Sequence, residues 1–564
     1  MSKKVLFDDD AYAKAKEGIK LVNDAVGATL GPRAHNVIYG RPFGVPGVVH
    51  DGVTVAKEID PKDPFLKAIA ELVKEAGKNT DDEAGDGTTT AILMTASLYT
   101  EGRKLVTAGF NAQMLRRGVE KATQEVVGYL ERVSTPIVTN DPKATNEQQL
   151  QVAVISAQNE AIGKHVADAF KKLGNDAVIT VEESKKNHIY SEYKDGMEID
   201  QGYFSRYFLT NPEFDEAVVE QANIIVTDYP FTSGQDIQRL VEILQELEIG
   251  DNLVLIAPDV RDLPLIVLIQ NKAQGRHTLA VRAPSFSDEQ SEMLEDIAAT
   301  IGATFISKSK GLKLDDLLPT QETNAAGEIE DIEPKAHVGH AQKVIASKDS
   351  TTIVNGLGKT DDVTQRVKMI DAQLAKENIS EFQMERLQER KAKLTTGVAI
   401  INVGARSEAE TKELKERTID AIKAIQAAND KGIVAGGETA LLRASWALED
   451  NLGDTDEMEE VIAGYRLVIK AMQYPFKKLM ENSGLDGGQM LERLQVAARD
   501  NKTSHDLGVD VIDGTVKDLV KAGVIDPVKV PISALQNAVS TSMGILTSGV
   551  IIVDEETDKD ASVV

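Results

Sequence analysis

Gly85-Asp86-Gly87-Thr88-Thr89-Thr90 stands where an apolar helical pattern begins. Free amides at a helix N-terminus attract phosphate, glycines let a backbone approach closely, and three hydroxyls add donors. A carboxylate just ahead would repel a bare phosphate but suits one that carries a divalent cation. The same residue types also make an ordinary Asp/Thr helix cap, and the stretch by itself does not separate the two. Two further helix ends of related chemistry precede it. Thr29-Leu30-Gly31-Pro32 closes the first long helical pattern, and His50-Asp51-Gly52-Val53-Thr54 opens another. Each reads equally well as a stop or a cap. If the three met they would form a phosphate pocket, but spacing does not show that they meet.

Asp420 lies beside Ile419, Ile422 and Ile425, which mark a buried helical stripe. Its carboxylate projects off the edge of that stripe, either as a solvated face residue or aimed into a cleft. Gly432-Ile433-Val434-Ala435-Gly436-Gly437 then opens the next helix and permits close approach by a ligand or another backbone. Two other stretches are decoys. Gly356-Leu357-Gly358-Lys359-Thr360 looks like the end of a Walker A loop, but Ile353 stands where that loop needs its first glycine, so a polar turn is expected. His337 and His340 have a metal-compatible spacing without a further ligand cluster, and read as exposed loop histidines.

The elements that must hold these residues fall into two textures. Residues 8–134 read mainly as helix, through Tyr12–Leu30, Phe65–Ala84, Thr88–Val106 and Met114–Val133, interrupted by a hairpin over Asn36–Asp51. From about 176 to 353 short strands alternate with helices, which marks an α/β domain set into a helical chain. Strands are expected at Ala177–Val181, Asn223–Thr227, Leu253–Ala257, Thr278–Arg282 and Thr304–Ser307, and Pro319–His340 reads as an excursion loop. A helical hairpin over Val363–Leu394 and a strand at Val398–Val403 close the insert, after which helix dominates again. Single glycines at the two seams, Gly196 and Gly397, suit a hinge.

Composition narrows the function. A chain of 564 residues is long enough for roughly three or four domains. Its 90 Asp+Glu against 63 Lys+Arg leave a net charge of −27, which argues against nucleic-acid binding. With no cysteine, thiolate metal sites, cysteine nucleophiles and disulfides are excluded, as suits a reducing compartment. Neither a membrane-spanning run nor an apolar signal core is evident, so a soluble, cytoplasmic protein is expected.

TLGP at 29–32, DGVTVAKEI at 51–59, DGTTTA at 86–91, ISA at 155–157, GYFSRYF at 202–208, AANDKGIVAGG at 427–437 and GVIDP at 523–527 occur in that order. Together they resemble the group I chaperonins, the bacterial GroEL-type family, over nearly the full length. The resemblance implies a multidomain α and α/β chaperonin fold: an equatorial domain from 1–132 and 432–564, an intermediate domain from 133–195 and 397–431, and an apical client-binding domain from 196–396. It implies rings of seven subunits that hydrolyse ATP and enclose non-native proteins, with Mg²⁺ and K⁺ as cofactors and a co-chaperonin lid as an optional partner.

Carried over by residue, Thr29, Leu30, Gly31, Pro32 and His50 would line the ATP site. Asp86 would hold Mg²⁺, with Gly87, Thr88, Thr89 and Thr90 around the phosphates. Gly437, Asp510, Val511 and Asp526 would surround adenine and ribose. Asp51 would sit near the γ-phosphate, and Asp420 would activate the attacking water. Tyr203, Tyr207, Phe208, Leu240, Ile243, Leu265 and Ile269 would bind clients. By spacing the apolar stripe reads as its own domain's core; with the resemblance it is expected to be exposed. The chain departs from the family at several points. His50 replaces a usual lysine, Lys431 a glutamate, Glu438 a third glycine, Asp510 an asparagine and Gln270 an apolar residue. The Gln270 change weakens the case for a standard lid, and the tail lacks Gly-Met repeats.

Overall fold

The computed structural model describes residues 3–40, 47–49, 51–138, 141–175, 177–212, 214–247, 249, 252–285, 287–323, 329–374, 381–452, 457–500 and 505–554. The chain divides into two compact units. One comprises Met1–Asp168, Lys185–Asn187 and Gly404–Val564; the other comprises Ala169–Ser184 and His188–Val403.

The first unit is a helical assembly around one core. Helices Asp8–Gly27, Pro64–Ala84, Thr88–Thr107, Ala112–Val133, Glu459–Asn482 and Lys529–Leu546 contribute to it, with Val26, Ile92, Leu115, Val468 and Leu535 among its buried side chains. Ala112–Val133 shows the local logic. Asn111 caps its first turn by accepting from the Gln113 and Met114 amides, and Leu115, Val119, Ala122, Val126 and Leu130 recur at helical spacing on the buried face. Helix Glu408–Lys431 packs against Pro142–Ala157, tied by Gln149 Nε2 donating to Asn429 Oδ1 at 2.9 Å.

Strands Val37–Tyr39 and Gly47–Val49 form the expected hairpin, while its tip at 41–46 and His50 lie outside the described residues. One pairing was not anticipated: Lys3–Phe7 runs antiparallel to Val550–Asp554. Neither strand has enough length or alternation to announce a sheet by itself, since its partner lies at the other end of the chain.

The second unit is α/β, built on a six-stranded mixed sheet. The spatial order is Gly196–Ile199, Thr351–Gly356, Gly339–Ala346, Ala217–Val226, Leu253–Ala257 and Thr278–Arg282. The last three strands are parallel and the others antiparallel. Leu253–Ala257 is buried along its whole length, as expected for a parallel strand covered on both faces. A smaller sheet joins Val398–Val403 to Val178–Glu183 and Tyr190–Lys194.

Two expectations need correction. Thr304–Ser307 is not a strand and contributes only a single parallel bridge from Ile306 to Thr227. Pro319–His340 is not wholly a loop: Thr320–Thr323 pairs with Ile329–Ile332, and Gly339 already begins a central strand. A polar hairpin that pairs only with itself carries no apolar alternation to betray it. Residues 324–328 lie outside the described residues.

The helical hairpin Thr360–Leu374 and Glu381–Thr395 is locked to helix Ser287–Ile301 by buried charge. Asp296 receives Arg366 Nε at 2.7 Å and Arg390 Nη2 at 2.8 Å, and Glu292 and Glu295 complete the cluster.

Candidate functional site

Helix Pro64–Ala84 ends on Gly85 at φ 73°, and helix Thr88–Thr107 starts from Gly87 at φ 93°. Both lie in the left-handed region that side chains avoid, so the two glycines let the chain reverse within three residues. Asp86 is held between them with its Oδ1 accepting the Gly87 amide at 2.6 Å. No side chain caps helix Thr88–Thr107. Asp86 therefore does not cap that helix, and the bland explanation of the Gly-Asp-Gly-Thr pattern fails. Asp51 behaves differently: it caps helix Gly52–Glu58, accepting from Val53 and Thr54 amides at 3.2 and 2.7 Å.

The three helix ends do meet. A Cβ built on Gly52 would fall 2.2 Å from Thr89 Oγ1 and 3.2 Å from Thr29 Oγ1, so the segments around 29, 52 and 89 are in direct contact. Thr29 is buried, its hydroxyl donating to Val26 O at 2.8 Å. Asn482 Nδ2 donates to Gly27 O and Leu30 O at 2.9 and 3.0 Å, fixing the turn that follows. Leu479 touches the built Cβ positions of both Gly31 and Gly437, which places those two glycines on either side of one leucine. Leu30 and Val511 join Leu479 in a small satellite core, while Pro32 is exposed.

Thr90 Oγ1 donates to Glu438 Oε1 at 2.5 Å, and Gly436 abuts the Asp526 carboxylate. Thr88 is buried with its hydroxyl on Gly77 O at 3.3 Å. Asp510 turns to Lys517, 2.7 Å away, and accepts the Ile512 amide at 2.8 Å.

Around this floor stands a set of carboxyl groups. Burial raises the pKa of Asp86, and the neighbouring Asp81 and Asp51 push it the same way while the Gly87 amide opposes them. Asp86 nonetheless remains exposed to solvent. Asp420 is held well above the ordinary carboxylate range by burial and then by Asp81, Asp86 and Asp51, against Lys423. Asp420 is thus half-buried among other carboxyls rather than on a fully solvated face.

Burial and Asp86 push Asp526 up to about 7. Burial, with Asp526 and Asp86, pushes Glu438 up to about 8 despite its bond to Thr90. Carboxyls that raise one another's pKa in this way form a place where a cation is welcome. Among the described residues no group of three His, Asp or Glu side chains is set to hold a metal alone. A single accessible carboxylate is the protein share that Mg²⁺ takes when phosphates supply the other ligands, so Asp86 fits that ion.

Sequence reasoning did not single out Asp81 or Lys423, and it noted Glu438 only as a departure. Asp81 is a half-buried acid on the last turn of its helix, a placement that composition alone does not reveal.

The apolar surface of the α/β unit corrects another expectation. Tyr203, Phe208, Leu240 and Ile243 are buried in that unit's own core and are not an exposed stripe. Spacing alone read the stripe as core, which holds; the expectation of exposure came from the resemblance. Leu265 and Ile269 are partly buried, Tyr207 is 74% exposed, and Leu263 and Ile266 are each 51% exposed on helix Asp262–Ala273. Gly196 and Gly397 both lie within this unit. A Cβ on Gly196 would reach 2.4 Å from Ile353 O and 2.7 Å from Val398, and one on Gly397 would reach 2.6 Å from Lys194 O. Both glycines thus permit a close backbone approach within this unit.

The profile of the TCP-1/cpn60 chaperonin family matches residues 22–556. Two crystal structures of the chaperonin gp146 from the bacteriophage EL 2 (Pseudomonas aeruginosa), both in the presence of ATP-BeFx, are similar in fold. One is 21% identical with a TM-score of 0.69, the other 20% identical with a TM-score of 0.62. Each comparison covers 98% of this chain and 99% of the phage protein. No helix among the described residues is long and apolar enough to cross a membrane. With the profile spanning nearly the whole sequence, the chain belongs to the TCP-1/cpn60 chaperonin family.

Proposed function

We propose that this protein is a group I chaperonin subunit that hydrolyses ATP, binds non-native proteins and promotes their folding inside a homo-oligomeric ring. The observation that carries the reading is the meeting of Thr29, Gly52, Thr89, Thr90 and the 436–438 segment around Asp86, with Asp420 beside them. The ATP-BeFx present with the phage chaperonin of similar fold supports a nucleotide as the occupant.

In this reading the equatorial, intermediate and apical divisions follow the five segments given above, and Gly196 and Gly397 are the hinge. The amides and hydroxyls of 87–90 cradle the triphosphate, and Thr29–Pro32 close one side. Gly437, Asp510, Val511 and Asp526 hold the nucleoside. When bound, Mg²⁺ would neutralise phosphate charge with Asp86 as its protein ligand, and K⁺ would take a similar part near Asp51.

Asp420 orients the attacking water and accepts its proton, which suits a carboxyl whose pKa has been lifted from the ordinary range. Tyr207, Leu265 and Ile269, with Leu263 and Ile266, offer the apolar contact for clients. The net charge of −27 suits a chamber wall that discourages rebinding of a collapsed chain.

Phosphate release from wild type and Asp420→Ala tests the assignment. ATP binding is expected to stay within about twofold while turnover falls at least about tenfold, a barrier change of about 1.4 kcal/mol or more. Unchanged turnover removes Asp420 from the role.

A second reading, a holdase with little hydrolysis, is favoured by one contact: Glu438 occupies the Thr90 hydroxyl assigned to phosphate. The same assay on wild type with and without unfolded protein separates the two, because a holdase releases little or no phosphate in either case.

A further inference from the structure

Lys423 and Asp81 form an ion pair that none of these assignments uses. Lys423 lies three residues beyond Asp420 on helix Glu408–Lys431, so the two share a face. Asp81 is on the last turn of helix Pro64–Ala84, just before the Gly85-Asp86-Gly87 reversal. Lys423 Nζ stands 3.5 Å from Asp81 Oδ2 and donates to the Asp81 carbonyl at 3.3 Å.

The lysine stem lies against the reversal itself, since a Cβ on Gly85 would come within 2.2 Å of Lys423 Cβ. Only glycine at 85 allows the helix so near. Electrostatics gives the pair a reason to exist. Asp51, Asp81 and Asp86 all repel the ionised Asp420, whereas Lys423 attracts it. The C-terminal end of the helix is anchored separately, by Lys431 to Glu131 at 2.9 Å and by Lys529 to Asp430 at 3.7 Å. Lys423 adds an ion pair at the level of Asp420, beside the apolar packing of Ala421 and Ile425.

We propose that Lys423 and Asp81 are positioning residues that seat Asp420 over the Gly85-Asp86-Gly87 turn. The inference rests on the reading of Asp420 as the residue that activates water, and it adds how this chain keeps the carboxylate in place. The pair acts on geometry, so its loss should lower kcat and leave KM for ATP nearly unchanged.

Lys423→Ala, the isosteric Asp81→Asn and their combination test it in the full chain. Each single change is expected to lower kcat about tenfold with KM within about twofold, and the double variant to be no slower than the slower single one. Lys423→Arg should restore most of the rate. A second readout needs no turnover: amide hydrogen exchange of the nucleotide-free protein across 418–426, expected to be about tenfold faster in both single variants. Losses that multiply in the double variant, or exchange equal to wild type, would overturn the proposal. If wild type released no phosphate, the ATPase reading would fall, while the exchange comparison would still decide whether the pair seats the helix.

Discussion

Glu438 sets a carboxyl group in the left-handed region, at φ 61°, directly after Gly437 at the same φ. A non-glycine residue there carries strain that the surrounding structure must hold. Its partners are the Thr90 hydroxyl at 2.5 Å and, at longer range, the carboxyls of Asp526 and Asp86. Neutral Glu438 is comfortable in that company, and ionised Glu438 is repelled by it. Its pKa in the fold is about 8 against an ordinary 4.5, so between those values the folded chain keeps a proton that the unfolded chain has lost. Stability of the nucleotide-free protein should therefore fall as pH rises through that window, by at most about 1.4 kcal/mol per pH unit from this group. Glu438→Gln removes the titration and keeps the shape. Thermal melts should nearly coincide for the two proteins near the low end of the window and separate toward its upper end, with the glutamine variant the more stable. A separation independent of pH would refute the assignment of charge to this residue. The Asp86 turn was legible in the sequence, because glycines flanking an acid before a helix limit what the backbone can do. The Thr90–Glu438 bond was not, because it joins residues far apart in the chain.

At the scale of elements, helix ends make the floor of the site, while Asp420 and Lys423 reach it from the body of helix Glu408–Lys431. Gly87 starts a helix without a side-chain cap while Asp51 caps another. Two similar motifs thus split into different roles, a distinction that composition could not draw. Strands with dense β-branched and aliphatic runs, such as Leu253–Ala257, Thr278–Arg282 and Val398–Val403, appear where periodicity placed them. Lys3–Phe7 escaped because a strand is recognised by its partner as much as by its own residues. Leu240 and Ile243 show the converse: spacing read them as core, the resemblance made them exposed, and they lie in the core.

The hairpin Thr360–Thr395 offers a test of element docking. Asp296 is the acid shared by two buried arginines, with side-chain exposures of 4%, 10% and 8% for Asp296, Arg366 and Arg390. Asp296→Ala would leave both guanidiniums short of a partner, at a cost of about 3–5 kcal/mol. Denaturant unfolding should register that loss, and protection of helices Thr360–Leu374 and Glu381–Thr395 from hydrogen exchange should fall most. A loss below about 1 kcal/mol would mean that Glu292 and Glu295 suffice to hold the hairpin.

For the whole molecule, family membership and the order of motifs along the chain agree, and the site draws on segments from both ends of the sequence. The residues that make it are spread from Thr29 to Asp526, with the α/β unit inserted between them. Convergence on that scale is a property of the folded chain. Local patterns could nominate the segments but not bring them together. Family resemblance linked them, and the contacts at Gly52, Thr90 and Gly437 supply the physical junctions. The most direct measurement of the central claim is calorimetric titration of ATP with Mg²⁺ into wild type and Asp86→Ala. Wild type should bind with a micromolar dissociation constant and the variant at least about thirtyfold more weakly, a difference of about 2 kcal/mol. Equal affinity in the two proteins, or no binding by wild type, would contradict the account.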